Sequence, residues 1–366
     1  MMSSMRPKTG ASGGTALLID PNDARPSPVF SKWQPTVVFQ TYWSFAAERQ
    51  EIFYRRLRGQ CPPWTQDPTL VTFKFTNVYR ASDRVSQFLI REVIYSGDPS
   101  PQEIFFRTIL FKLFNKIDTW LLLKSHFGQI TTGVKLDDID AFLTRAMHAG
   151  KTIYSGAYIM PSGTGHLRFE RKHLAHLSLL ATMLRDEVPK KLADCCTMHH
   201  AFLLLRSYPM LGDFLAYQYL IDLNYSNFVN FPESEFVVPG PGAKSGLRKC
   251  FSKFEPCDET EIIKRVAEFQ ETEFSNKGLS FRYLGGRRLQ LIDCQNLFCE
   301  IDKYARMVHP EIQTQTKRTR IKHKFTPHDE QVSYWFPPKW GINTAFENDR
   351  RQGTSQTKAR AFAIAV

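Results

Sequence analysis

A proline and a glycine set a bend between two apolar runs in the middle of this chain, and that arrangement limits the folds open to it. In Tyr208-Pro209-Met210-Leu211-Gly212 the proline and glycine punctuate a turn. The following residues, Asp213-Phe214-Leu215-Ala216-Tyr217-Gln218-Tyr219-Leu220-Ile221-Asp222, are long and apolar enough for a buried helix. The segment therefore reads as helix, tight turn, helix. Where the amides of such a turn point outward at the second helix's N-terminus, unpaired N–H groups and the helix dipole together favour phosphate. Just downstream stand the acids Glu233 and Glu235, a stretch from Val237 to Ala243 read as flexible backbone, and the cations Lys244, Arg248 and Lys249.

Charge narrows the choice of partner. Lys and Arg number 48 against 36 acids, a net charge of +12, which suits a polyanion or an anionic membrane. Nucleic acid is favoured, because no lipid-anchor signal and no basic amphipathic anchor helix is evident. A merely solvated basic surface is the alternative. At 366 residues with 42% hydrophobic composition, the chain can bury one large core or two modest ones. The seven cysteines include no Cys-x-x-Cys pair, so neither a zinc ribbon nor a thioredoxin-like site is indicated. With no apolar signal region and no run of the ~18 apolar residues a membrane span needs, a soluble intracellular protein is expected. That means the nucleus in a eukaryote, and the cytoplasm or nucleoid in a bacterium or virus.

Along the chain, composition divides residues 1–34, a Ser/Gly/Pro-rich tail expected to be disordered, from an aromatic and basic arm at 35–69 lying on the core. A helical domain follows at 70–325, and a basic, mostly disordered tail at 326–366. Ser82-Asp83 reads as a helix N-cap, with Val85, Phe88, Leu89 and Val93 on the buried side and Arg84, Gln87 and Arg91 sharing another face. Ile104 to Lys124 is apolar nearly all round, as in a central helix, interrupted by Asn115 and Lys116. Pro161-Ser162-Gly163-Thr164-Gly165 reads as a flexible loop that can act as a lid. His173 and His176 share a helix face but lack a third ligand at a recognisable interval, so hydrogen-bonded histidines are favoured over a metal site.

Leu289 to Arg306 reads as one helix whose core stripe is Cys294, Leu297, Phe298, Ile301 and Ala305. On its other side Asp293, Asn296, Glu300 and Lys303 stack along one line. Such a line can hold an amine, a base edge or a metal; equally, it can be a helix surface stabilised by ion pairs. In Lys317 to Lys324, an extended chain would point Arg318, Arg320, Lys322 and Lys324 one way, as suits a phosphate backbone; a nuclear-import signal looks similar.

Several strings together resemble one family. They are Asn77-Val78-Tyr79-Arg80-Ala81-Ser82-Asp83-Arg84, Phe111-Lys112-Leu113-Phe114-Asn115-Lys116, Phe214-Leu215-Ala216-Tyr217-Gln218 with Asp222-Leu223-Asn224-Tyr225-Ser226, Gly240-Pro241-Gly242-Ala243, and Leu291 to Glu300. The family is the helical domain associated with 5-hydroxymethyldeoxyuridine (5-hmdU) DNA kinases, akin to the alpha-glutamyl/putrescinyl-thymine pyrophosphorylases of DNA base hypermodification. The resemblance implies an all-α fold similar to helix-hairpin-helix DNA glycosylases, DNA as partner alongside a possible nucleotide kinase, and an amine as co-substrate rather than a bound cofactor or metal. It implies replacement of the pyrophosphate on an activated, flipped 5-hydroxymethyluracil by that amine. Glu233 or Glu235 would then be the base, with Asn115, Gln218, Asp222, Asp293, Asn296, Glu300 and Lys303 in the pocket. Gly212, Arg80, Arg84, Lys244, Arg248, Lys249, Arg318, Arg320 and Lys322 would meet phosphate or DNA. A non-enzymatic DNA-binding partner of a separate kinase, or a DNA glycosylase, are the alternatives. The chain departs from the glycosylase pattern at Met210, where the hairpin usually has its first glycine, and it lacks the hairpin lysine of a lyase. Gly242-Ala243-Lys244-Ser245 is like the end of a kinase P-loop without its Gly-Lys.

Overall fold

The computed structural model describes residues 28–162, 169–255, 258–314, 318–326 and 333–348, and the fold within them is all-α. The helices are α1 (Val37–Leu57), α2 (Pro68–Thr72), α3 (Arg84–Phe88), α4 (Pro101–Phe114), α5 (Ile117–Phe127), α6 (Leu136–His148), α7 (Lys172–Arg185) and α8 (Val188–Ala193). They continue with α9 (Met198–Arg206), α10 (Asp213–Leu223), α11 (Pro241–Cys250), α12 (Asp258–Glu268), α13 (Gln270–Asn276) and α14 (Leu291–Val308). Extended pairing among the described residues is limited to isolated bridges, such as Phe73 with Lys324.

α14 is the pillar of the molecule, packed by α11, α1 and α12. Its expected core stripe is present: Cys294, Leu297, Phe298, Ile301 and Ala305 are all buried. The close partner is α11. A Cβ on Gly242 would collide with the Cys299 Sγ, and one on Gly246 would land on the carbonyl oxygen of Phe298. The stretch read as flexible backbone is thus a packing device: Gly240 caps α11, Pro241 opens it, and glycines one turn apart admit the α14 backbone.

The first 3-10 turn, Pro28–Trp33, and α1 belong to the core rather than to an arm lying on it. Phe30, Trp33, Phe39, Tyr42 and Trp43 are buried, and the Tyr42 and Phe298 rings lie 4.6 Å apart. An aromatic surface this dense cannot remain in water, so α1 packs against both α11 and α14. Residues 1–27 of the expected tail lie outside the described residues.

The apolar run from Ile104 forms two helices instead of one. Asn115 takes a left-handed conformation (φ 48°), ends α4 and lets α5 restart at Ile117. α4 is buried along its whole length from Ile104. After α3 the chain widens into a π-helix, Leu89–Ile94, which shifts the helical period. The buried Arg107 donates to the carbonyls of Val93 and Asp98 beyond it. Gln87, placed by the sequence on a basic face with Arg84 and Arg91, is instead buried, donating to Ala81 O and accepting from Trp335 N–H.

The C-terminal region also departs from expectation. Phe336, Ile342 and Phe346 are buried, so residues 333–348 are a strap on the core rather than a tail. The rest of the expected tail, 327–332 and 349–366, lies outside the described residues, as do Lys317 and residues 163–168 of the lid segment. Among the described residues, no helix is long and apolar enough to cross a membrane.

Candidate functional site

Four of the five strings that carried the family resemblance meet about one residue, Arg80, and the fifth packs against α14 through Gly242. The turn from Thr76 to Arg80 lies along α14, where the line of polar residues holds its backbone. Asp293 accepts the Arg80 amide at 2.9 Å, Asn296 Nδ2 donates to the Asn77 carbonyl at 3.0 Å, and Glu300 accepts the Thr76 amide at 3.0 Å. Lys303 pairs with Glu300 at 2.6 Å. From the other side the buried Arg49 of α1 donates to Thr76 O at 2.9 Å. Thus Asp293, Asn296, Glu300 and Lys303, expected in the pocket, chiefly clamp the backbone that presents Arg80.

The Arg80 guanidinium reaches into a buried polar cluster. Its Nη1 donates to Asp222 Oδ1 at 2.6 Å and to the Tyr225 hydroxyl at 3.0 Å, and its Nε donates to Gln218 Oε1 at 3.2 Å. The other oxygen of Asp222 lies 2.9 Å from Lys112 Nζ, which also donates to Asn115 Oδ1 at 3.0 Å. α4 and α10 are sealed together here, with the Tyr219 hydroxyl donating to the Lys112 carbonyl. Burial alone would raise the Asp222 pKa, but the Arg80 and Lys112 cations hold it below the ordinary carboxylate value. Lys112 is pushed down by burial, against the pull of Asp222. Gln218 Nε2 is a buried donor with no acceptor among the described residues. The structure therefore brings Asn115, Gln218 and Asp222 together with Arg80, which the sequence reading had set among the phosphate contacts and which is instead engaged inside this cluster.

Two further carboxyls stand close by. Asp83 opens α3, but its side chain does not cap that helix; it turns back to accept the Asn77 amide at 2.8 Å. Desolvation pushes its pKa up to about 7, against the opposing pull of that hydrogen bond. Asp293 is likewise pushed up to about 7 by burial, even though it accepts two backbone N–H groups. Beside the cluster Tyr158 is half exposed, with Lys112 Nζ 6.0 Å from its ring centre. Neither Asp83 nor Tyr158 was singled out from sequence as a site residue. A local N-cap pattern masked the first, and the second lies far away in the chain.

The acidic pair separates. Glu233 is buried and held by Arg287 at 2.9 Å, its pKa raised by burial despite that cation. Glu235 is exposed. The Arg287 guanidinium lies 3.9 Å from the Trp340 ring centre, and Trp340 in turn meets the Tyr225 ring edge-on. Beside Glu233, burial pushes Lys339 down to about 8. The strap at 333–348 thus closes one side of the cluster.

Most of the expected phosphate contacts are dispersed, although Lys249 and Arg318 line one hollow. Lys249 is buried against Asp302 at 3.3 Å, Arg248 pairs with Glu259 at 3.3 Å, and Lys244 is exposed. Arg84 is exposed, and Arg318, Arg320 and Lys322 are exposed along an extended segment beside residues 72–74. The helix–turn–helix is formed by α9 and α10, which pack on each other. Met210 takes the left-handed conformation (φ 66°) that usually favours glycine. Gly212 is exposed as the α10 N-cap, with Asp213 already at the positive helix end. His176 bonds Tyr154 OH and Pro161 O through its two ring nitrogens, and His173 meets Asp140 and Thr144.

The chain belongs to the family described as the 5-hmdU DNA kinase helical domain, whose model matches residues 36–314. It is similar to the 5-hmdU DNA kinase of Bacillus phage SP10, with 25% identity over 326 residues, 81% of this chain and 50% of that protein. The chain thus spans about half the length of this relative. No solved structure matches.

Proposed function

We propose that this chain is the DNA-engaging helical body of a thymine hypermodification system, acting as a transferase on pyrophosphorylated 5-hydroxymethyluracil in DNA. One observation carries the reading: Arg80 and Lys112 converge on the single carboxylate Asp222, leaving a net positive charge beside a second carboxyl, Asp83, whose pKa is pushed up to about 7. An amine nitrogen attacks the methylene carbon on C5. The C–O bond to pyrophosphate breaks, and pyrophosphate leaves with the electron pair. The ammonium formed gives a proton to a carboxylate poised near neutrality, which is where a general base works best. Asp83 fits that task better than Glu233, which is tied to Arg287, or the exposed Glu235. The cationic pair stabilises the charge of the leaving group. The α9–α10 turn, similar to a helix-hairpin-helix, and the exposed Arg318, Arg320 and Lys322 hold the DNA backbone in this reading. Incubation of the protein with such DNA and a panel of amines, followed by digestion and nucleoside mass spectrometry, tests it: an aminated thymine is expected, lost in Asp83→Asn, and an unchanged base across the panel removes the transferase assignment.

A second reading, in which the protein binds DNA for a separate nucleotide kinase without chemistry of its own, is favoured by the direct pairing of both cations with a protein carboxylate, Asp222. In that case Asp83→Asn leaves DNA modification by the kinase unchanged.

A further inference from the structure

At the far end of α14, a small hollow of about 110 Å³ is lined by Lys249, Arg306, His309, Thr314, Arg318 and Thr319. Thirteen residues separate Arg306 from Asp293, so this hollow lies about 20 Å along the helix from the Arg80 clamp. Its charges do not balance. Lys249 and Arg306 have side chains only 4% and 9% exposed, and both pair with one buried carboxylate, Asp302. That carboxylate also accepts from the Ser245 hydroxyl at 2.8 Å, so its capacity is already divided three ways. Arg318 adds a third cation at the rim, while the acid nearest in sequence, Glu311, is exposed and faces His309. A buried surplus of positive charge is costly unless an anion offsets it.

The hydrogen-bond inventory points the same way. The Arg306 guanidinium donates to Asp302 and to the Arg320 carbonyl, yet its Nε is a buried donor with no acceptor among the described residues. Lys249 Nζ donates to the Asp302 carbonyl at 2.9 Å and has a further proton to give. Orphan donors and excess positive charge beside a cavity sized for a group of a few heavy atoms describe a receptor for an oxyanion.

We propose that this hollow binds a phosphate group, held by Arg306, Lys249 and Arg318. The proposal is independent of the base chemistry suggested above, since it concerns a separate cavity and its ligand need not be a nucleic acid. Either an internucleotide phosphate of bound DNA or free phosphate supplies the same chemistry, and the experiment separates them.

Inorganic phosphate is titrated into the full chain at fixed ionic strength, read by calorimetry and by thermal unfolding. Saturable binding with a rise in Tm of a few degrees is expected. Arg318→Glu, an exposed change that leaves the core intact, should abolish both effects, whereas Arg248→Glu, the same charge change on an exposed cation outside the hollow, should abolish neither. Lys249→Met is the buried companion, interpreted only if its circular dichroism is native. If Arg318→Glu also weakens binding of a DNA duplex about tenfold, with free phosphate competing, the natural source is the DNA backbone. If DNA binding is unaffected, the source is free phosphate. Non-saturable phosphate binding by the wild type, or an equal response from Arg318→Glu, overturns the site.

Discussion

Asp222 on α10 holds Arg80 through one oxygen at 2.6 Å and leaves its other oxygen to Lys112 at 2.9 Å, so one buried carboxylate neutralises cations from two distant parts of the chain. Removing it strands both. Asp222→Asn is expected to cost about 3–5 kcal/mol in urea unfolding, as for a buried pair broken on one side. Lys112→Met should cost less, because Arg80 still satisfies the acid. In a double-mutant cycle the two should be strongly non-additive; additive losses would show that the two bonds do not share one carboxylate.

Packing of α11 on α14 yields a second expectation. Gly246→Ala sets a methyl against the Phe298 carbonyl, which the helix cannot move, and should destabilise by about 3 kcal/mol or more. Gly242→Ala collides chiefly with the Cys299 Sγ. Its loss should be smaller and largely restored by adding Cys299→Ala, whereas the same addition should not rescue Gly246→Ala. Thermal unfolding of the four variants is the measurement.

Acid–base linkage at Asp83 has a definite sign. Its folded-state pKa, about 7, lies above the ordinary 3.8, so the stability it contributes is full below about pH 3.8 and falls as pH rises through 7. Asp83→Asn keeps the acceptor for the Asn77 amide but cannot ionise. The variant should match the wild type in stability near pH 4 and exceed it at pH 8. A wild-type advantage at pH 8 would mean that Asp83 is ionised without penalty.

Met210 carries a left-handed backbone that costs a non-glycine residue about 1–2 kcal/mol. Met210→Gly relieves that strain while losing partial packing on the core and adding chain entropy, so it should change stability by no more than about 1 kcal/mol. Met210→Val, β-branched at the same φ, should be clearly worse. If valine is tolerated as well as glycine, the turn does not require this conformation.

Arg318, Arg320 and Lys322 are exposed on one extended segment. If they follow a DNA backbone, changing all three to alanine should weaken duplex binding at low salt and flatten the dependence on log salt by up to about 0.9 per lost phosphate contact. Thermal stability should be unchanged. Fluorescence anisotropy across a salt series measures the slope.

The amino-acid sequence by itself determined the helical class, the buried stripe of α14, and the bend between α9 and α10, because periodicity, proline and glycine act over a few residues. It also marked Arg80, Asn115, Gln218 and Asp222 through strings of residues, without showing that they touch. Which cations remain available was decided only by the tertiary structure. Lys249 reads as a phosphate contact in the sequence, yet it is buried because Asp302 arrives from a remote helix, as Asp222 does for Lys112. Likewise Gly242 reads as flexible backbone until α14 packs against it, and the segment at 333–348 resembles a tail until Trp340 finds Arg287 and Tyr225. Charge pairing and close packing depend on neighbours far apart in the chain, and local composition carries no signal of them.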